Sequence, residues 1–267
     1  MSEIILMKLN NVELLKFANE FADISKSILK KYYFKNFKIE EKTDGTLVTE
    51  IDKKIESKFR KLLKKKFPFH GVIGEEFENY QDENEYVWII DPLDGTHSFI
   101  SGKPLFGTLI SCLKNNVPIM GLIDIPIMNQ RWSGAKGLDV RLNDKKCKIR
   151  KEKKKFSDLI MSSTSLLMFD NNQQEKIRNI YKKIKIPVFG TDCYAYGLLL
   201  SGKVDLIVEA NMKPWDYMAQ VFLIKEFGGY ITDWNGNDLN LDSNGKVVAS
   251  YDSNHHKTIL GLLNEIN

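Results

Sequence analysis

Between positions 11 and 33 the residues Val12, Leu15, Ala18, Phe21, Ala22, Ser25, Ile28, Leu29 and Tyr32 recur every three or four places, the period of a helix that buries one face. A second helix is predicted to start at Thr49, whose hydroxyl can cap the first turn. Asp52 can answer it three residues on, and Ile51, Ile55, Phe59 and Leu62 share a face. The pattern then changes to short apolar runs: Val72-Ile73, Trp88-Ile89-Ile90, and the stretches 106–113, 118–123 and 131–142. Asn115-Asn116 and Asp124-Ile125-Pro126 read as turns between them, and closely spaced strands of this kind predict an antiparallel sheet.

Past position 156 strands and helices alternate. Strands are expected at 158–162, 187–189, 204–209, 230–232 and 247–250, and helices at 173–184, 193–201, 215–227 and near the end. In between, residues 144–156 turn polar and lose their periodicity. The chain is therefore read as two halves, 1–144 with an α+β pattern and 145–267 with an α/β pattern. No repeat or low-complexity linker separates them, so they are expected to pack around a shared cleft.

The 267 residues, 43% of them apolar and 11% aromatic, are ample for a core. Three cysteines (Cys112, Cys147, Cys193) are an odd number without metal-type spacing, so a zinc finger is excluded, and the four histidines form no paired helical metal motif. The formal charge is only +4, although lysines cluster at 64–66 and 145–155. No aromatic residues interleave those lysines as a base-stacking platform requires, which argues against nucleic acid as a partner. No run approaches membrane-spanning length and no cleavage-site pattern follows the first residues, so no membrane is expected and the compartment is read as cytoplasmic.

Three acidic segments change this bland picture. In Trp88-Ile89-Ile90-Asp91-Pro92-Leu93-Asp94-Gly95-Thr96 an apolar strand delivers two carboxylates and a hydroxyl within six residues. Taken alone this also reads as an Asp-Pro turn closed by Gly95. Upstream, Gly71-Val72-Ile73-Gly74-Glu75-Glu76 is a short strand with a glycine that lets carboxylates crowd together. Downstream, Lys213-Pro214-Trp215-Asp216 opens a helix, where Asp216 alone would be an ordinary first-turn acid. Asp52 has its own local explanation as the second half of a capping box. Acidic groups that repel one another and lose hydration invite a hard divalent cation with a preference for oxygen.

Together Gly74-Glu75-Glu76, Asp91-Pro92-Leu93-Asp94-Gly95-Thr96 and Trp215-Asp216-Tyr217-Met218-Ala219 resemble, in order and separation, the signature blocks of the inositol monophosphatase-like, magnesium-dependent phosphatases. The likeness extends to the block from Lys42 to Asp52 and to Glu226-Phe227-Gly228-Gly229. Gly102-Lys103-Pro104-Leu105-Phe106-Gly107 and Gly190-Thr191-Asp192-Cys193-Tyr194-Ala195-Tyr196-Gly197, with Val208-Glu209-Ala210, look most like the histidinol-phosphatase branch. Leu47 and Trp215 depart from that branch, where proline and tyrosine are usual.

The resemblance implies a layered α-β-α-β-α sandwich of the inositol monophosphatase / fructose bisphosphatase type, a homodimer, and a small-molecule phosphate ester as substrate. Glu75, Asp91, the Leu93 carbonyl, Asp94 and Asp216 would hold two or three Mg²⁺ ions. Asp52 and Thr96 would form a hydrogen-bonded pair that, with Glu75, activates water for direct in-line attack. Gly95 and Thr96 would offer backbone N–H groups to the phosphate, and Asp94 and Asp216 also border the substrate. Asp192 and Glu209 would contact its alcohol portion. Two acids there favour a cationic alcohol such as histidinol, with an inositol phosphate or another sugar or nucleotide phosphate as the alternative. A second phosphate would need basic residues at that wall, and none is apparent there. His97 is expected to be passive, Cys193 to be inert packing, and Tyr194 and Tyr196 to line the pocket or fill core. A metal- or phosphate-binding protein without turnover would not need Asp52 and Thr96.

Overall fold

The computed structural model describes residues 3–42, 45, 47–148 and 154–265. Thr43, Asp44 and Thr46 of the Lys42-to-Asp52 block and residues 149–153 of the lysine-rich stretch lie outside them. The chain opens with helix α1 (Glu3–Tyr32), a small hairpin of β1 (Ile39–Glu41) and β2 (Leu47–Thr49), and helix α2 (Glu50–Lys66). A seven-stranded sheet follows, built from β3 (Gly71–Gly74), β4 (Tyr86–Asp94), β5 (Gly107–Lys114), β6 (Val117–Ile125), β7 (Gln130–Ala135), β8 (Arg141–Leu142) and β9 (Lys145–Lys146), in that spatial order. The short helix α3 (Thr96–Ile100) leaves β4. All neighbours are antiparallel except β3 and β4, which run parallel.

A second sheet of five strands contains β10 (Ile160–Ser163), β11 (Ile186–Phe189), β12 (Leu206–Glu209), β13 (Tyr230–Thr232) and β14 (Val247–Ser250), ordered β11-β10-β12-β14-β13. The helices between them are α4 (Asn171–Tyr181), α5 (Tyr194–Leu200) and α6 (Pro214–Phe227), with α7 (Ser253–Asn264) last.

Three apolar clusters show how these elements stack. Helices α1 and α2 bury Phe17, Phe21 and Phe59 against Trp88, Ile90, Ile110 and Leu122 on one face of the large sheet; the rings of Phe17 and Trp88 meet edge to face at 5.2 Å. The opposite face, through Ile89, Leu109 and Ile123, packs on α5 and α6, which in turn cover Ile207, Ile231 and Ala249 of the small sheet. The far side of the small sheet, Met161, Leu206 and Val248, is closed by Ile177 of α4 and Ile259 of α7. The result is the expected α-β-α-β-α layering.

Two local expectations are corrected. Helix α1 turns Leu14 and Phe17 inward and leaves Val12 exposed, because the aromatic residues of α2 and β4 offer more apolar area to Phe17 than any surface offers Val12. The run 131–142 is two strands, since the chain reverses at Lys136-Gly137 and Leu138 donates its N–H to the Ala135 carbonyl at 2.7 Å.

Candidate metal centre

Strand β4 is central to its sheet, where proline is tolerated only at an irregularity, and Pro92 sits at one. Asp91 pairs with Leu109 and Asp94 with Gly107, so β4 spends three residues where β5 spends two. In a regular strand two residues three apart face opposite sides; the inserted residue of a bulge corrects the parity. Val87, Ile89 and Asp91 therefore face α6, Leu93 is turned into the α1–α2 core, and Asp94 returns to the α6 side. Asp91 is fixed by accepting the Leu93 N–H at 2.9 Å.

Helix α6 brings the third carboxylate. Pro214 starts it, and Asp216 accepts the Lys213 N–H at 2.7 Å, which orients the carboxylate at the helix mouth. Asp91, Asp94 and Asp216 each offer an oxygen within 4.8 Å of the others. Burial, then the charge of Glu75, raises the Asp91 carboxyl well above its usual range; burial and Asp94 do the same to Asp216. Asp94 is pushed up to about 7 by burial and by Asp192, although it accepts the Cys193 N–H at 2.7 Å.

Glu75 and Glu76 follow β3, and the ammonium of Lys42 bridges them at 2.8 Å to each. Gly74 is required by close approach: a Cβ there would lie 2.1 Å from the Glu56 carboxylate. That carboxylate accepts the Glu76 N–H at 2.8 Å and pairs with Arg60 at 2.7 Å. Sequence reading missed Glu56, whose signal was an acid on the buried face of α2, four residues after Asp52 and four before Arg60. Asp52 is fully buried and forms the expected capping box, its Oδ2 accepting the Thr49 N–H at 2.9 Å and the Thr49 hydroxyl. Its Oδ1 has no partner among the described residues. Burial dominates its titration and raises it to about 6. No hydrogen bond joins Asp52 to Thr96: the Thr96 hydroxyl donates instead to the Leu93 carbonyl at 3.1 Å.

A cavity of about 130 Å³ adjoins the cluster, lined by Asp94, Asp192, Tyr196, Glu209, Asp216 and Gln220 among others. Gly95, left-handed with φ +79°, ends β4 directly beneath Asp192, to whose carboxyl carbon a Cβ would approach within 3.1 Å. Asp192 accepts the Ser98 hydroxyl at 2.6 Å. Glu209 accepts from Thr164 and, at 2.8 Å, from the buried Tyr196 hydroxyl; burial raises its carboxyl to about 7. Tyr196 thus lines the cavity, whereas Tyr194 packs on Trp132. Cys193 is buried packing and His97 is exposed. One expectation fails here. Burial raises the Asp192 carboxyl, and the charge of Lys103, which follows the turn after α3 and reaches the Gly190 carbonyl, offsets part of that rise, so the wall does have a basic neighbour.

Residues 10–267 match the model of the inositol monophosphatase family. The chain belongs to that family. Among members of the inositol monophosphatase family, the bifunctional phosphatase IMPL2, chloroplastic, of Arabidopsis thaliana is 39% identical over 248 residues, 91% of this chain and 71% of its own length. A histidinol-phosphatase of Chlorobaculum parvum is 28% identical over 237 residues, 88% of this chain and 92% of its own. The inositol monophosphatase structure from Zymomonas mobilis superposes with a TM-score of 0.85 at 30% identity, covering 95% of this chain and 98% of that one. The protein is accordingly a phosphoric monoester hydrolase of a metal-dependent, typically Mg²⁺-dependent, family. Among the described residues no helix is long and apolar enough to cross a membrane.

The donor set fits such an ion. It is composed of hard carboxylate oxygens that burial and mutual repulsion leave short of counter-charge, and the Leu93 carbonyl keeps a second lone pair beyond the one Thr96 uses. Magnesium is therefore expected to raise the thermal midpoint of the metal-free protein, and Asp91→Asn to reduce that increment by more than half, as differential scanning fluorimetry with and without EDTA will show. A second expectation concerns pH. Glu209 has a folded pKa of about 7 against 4.5 ordinarily, so its stabilising contribution is fully present below about pH 4.5 and is lost as pH rises through about 7. In EDTA the midpoint of the native protein should fall across that window more steeply than that of Glu209→Gln.

Proposed function

We propose that this phosphatase is a histidinol-phosphate phosphatase, converting L-histidinol phosphate and water to L-histidinol and phosphate in histidine biosynthesis. The observation that supports the reading is the acidic wall beside the phosphate end of the cleft. Asp192 and Glu209 line the cavity next to Asp94 and Asp216, and a cationic amino alcohol is the complement such a wall selects. Relatives named histidinol-phosphatase and the branch-like block around Asp192 point the same way. Inositol phosphate is the second reading, carried by the Zymomonas mobilis likeness and by the hydroxyl-bonding capacity of Glu209. Lys103 near Asp192 also keeps a bisphosphate in the comparison.

Glu75, Asp91, the Leu93 carbonyl, Asp94 and Asp216 would hold two or three Mg²⁺ ions. Bound there, they supply charge neutralisation for the phosphate and make water more acidic. The chain's own residues do the rest. Asp52 offers a buried carboxylate whose Oδ1 is unspent and whose pKa of about 6 suits proton acceptance near neutrality. Thr96 fixes the loop that turns from β4 into α3, where Gly95 and Thr96 present backbone N–H groups to the phosphate. Asp94 and Asp216 border both metal and substrate. In this reading residues 1–144 supply most metal ligands, residues 145–267 supply Asp216 and the substrate wall, and the enzyme works as a cytoplasmic homodimer.

Phosphate release from histidinol phosphate, inositol 1-phosphate, adenosine bisphosphate and fructose 1,6-bisphosphate with magnesium tests the reading. Histidinol phosphate should have the largest kcat/KM, and a tenfold preference for inositol phosphate would replace it with the second reading. Asp52→Asn should lower kcat by roughly a hundredfold or more with little change in KM, the range expected for a general base; a raised KM with kcat little changed would place Asp52 in binding instead.

A further inference from the structure

Gln220 lines the cavity without a part in the mechanism above. Gln220 lies one helical turn beyond Asp216 on α6, is fully buried, and lines the same cavity as Asp94, Asp192, Glu209 and Asp216. Its amide nitrogen donates to the Asp216 carbonyl. A carbonyl oxygen can only accept, so this contact fixes which end of the amide is which. The carboxamide oxygen Oε1 is left facing the other way, buried and without a hydrogen-bond partner among the described residues. The carboxylates of the wall each have a donor from the chain: Ser98 for Asp192, Thr164 and Tyr196 for Glu209, the Cys193 N–H for Asp94. Of the residues whose buried side-chain oxygen has no hydrogen bond among the described residues, Gln220 is the one that lines this cavity. An unpaired buried acceptor is destabilising, and a leucine or methionine would fill the same volume without that cost.

We propose that Gln220 is a specificity-determining residue whose Oε1 accepts a hydrogen bond from an N–H donor on the alcohol portion of the phosphate ester. The donor is the ammonium or an imidazole N–H if the histidinol reading above, on which this assignment rests, is right. The neutral amide suits the position better than a further carboxylate would, since it adds an acceptor without adding charge to a crowded acidic site. A substrate with no donor there would leave Oε1 unpaired, and a site built to hydrogen-bond a group discriminates strongly against analogues that lack it.

The test compares Gln220→Leu and the volume-conserving Gln220→Met with the native enzyme, loaded with magnesium, on histidinol phosphate and on p-nitrophenyl phosphate, which has no such donor. Both variants should lose at least tenfold more kcat/KM on histidinol phosphate than on p-nitrophenyl phosphate, chiefly through KM. Calorimetry should show a matching fall of about tenfold in affinity for histidinol, the product alcohol. Equal losses on both esters with a lowered thermal midpoint in both variants would make Gln220 a packing residue, and unchanged histidinol affinity would mean that a water satisfies Oε1. Either result overturns the proposal. A native enzyme that prefers inositol phosphate defeats the substrate reading alone; the loss by the variants on that ester relative to p-nitrophenyl phosphate then still decides whether Oε1 receives a donor.

Discussion

Several carboxylates held out of water within a few ångströms of one another are the constraint around which this molecule is arranged. Each is unstable as an anion there, and its neighbours make it worse. Much of the surrounding structure answers that instability: backbone N–H groups of Leu93, Cys193, Lys213 and Glu76 each point at a carboxylate oxygen, Lys42 bridges the two glutamates, and Arg60 neutralises Glu56. What these donors leave uncompensated is the charge that a divalent cation supplies. The same buried acids that would weaken a purely structural protein thus become the means of holding the phosphate's counter-ions.

The fold separates two tasks. The acids of the cluster sit on β4 and at the mouth of α6, elements pinned by the large central core. The wall of the cavity comes from the opposite sheet and its loops, through Asp192, Glu209 and Thr164. On the proposed reading, phosphate chemistry rests on the rigid layer, and the alcohol is met by parts that differ in chemistry without disturbing it. Gln220 joins the two, being on the rigid helix and lining the cavity with Asp192 and Glu209.

How much of this could be read from the chain depended on how local each feature was. The capping box at Thr49 and Asp52, the strand ending in Asp91 and Asp94, and the helix opening at Asp216 are written within a few residues, and all three are found where the pattern placed them. That those segments belong to one family was also legible, because their order and spacing survive over nearly the whole length. Contacts between distant segments were not. Glu56 against Gly74 and Lys103 against Gly190 depend on how layers are stacked, which periodicity does not encode. Even in α1, where the predicted face through Ala18, Phe21, Ala22, Ser25 and Leu29 is buried, Val12 at one end is exposed and Leu14 and Phe17 turn inward, because a helix with apolar residues on several sides is oriented by its partners.

The extra residue in β4 sets a rule about length rather than identity. With three positions on β4 matched to two on β5, removing one of Pro92 or Leu93 would not simply tighten the strand. It would reverse the facing of everything beyond it and swing the second aspartate of the pair toward aromatic rings on the wrong side of the sheet. Exchange of side chains can tune this stretch by degrees, whereas a gain or loss of one residue acts as an all-or-nothing switch, so this segment can diverge by replacement and scarcely at all by insertion or deletion.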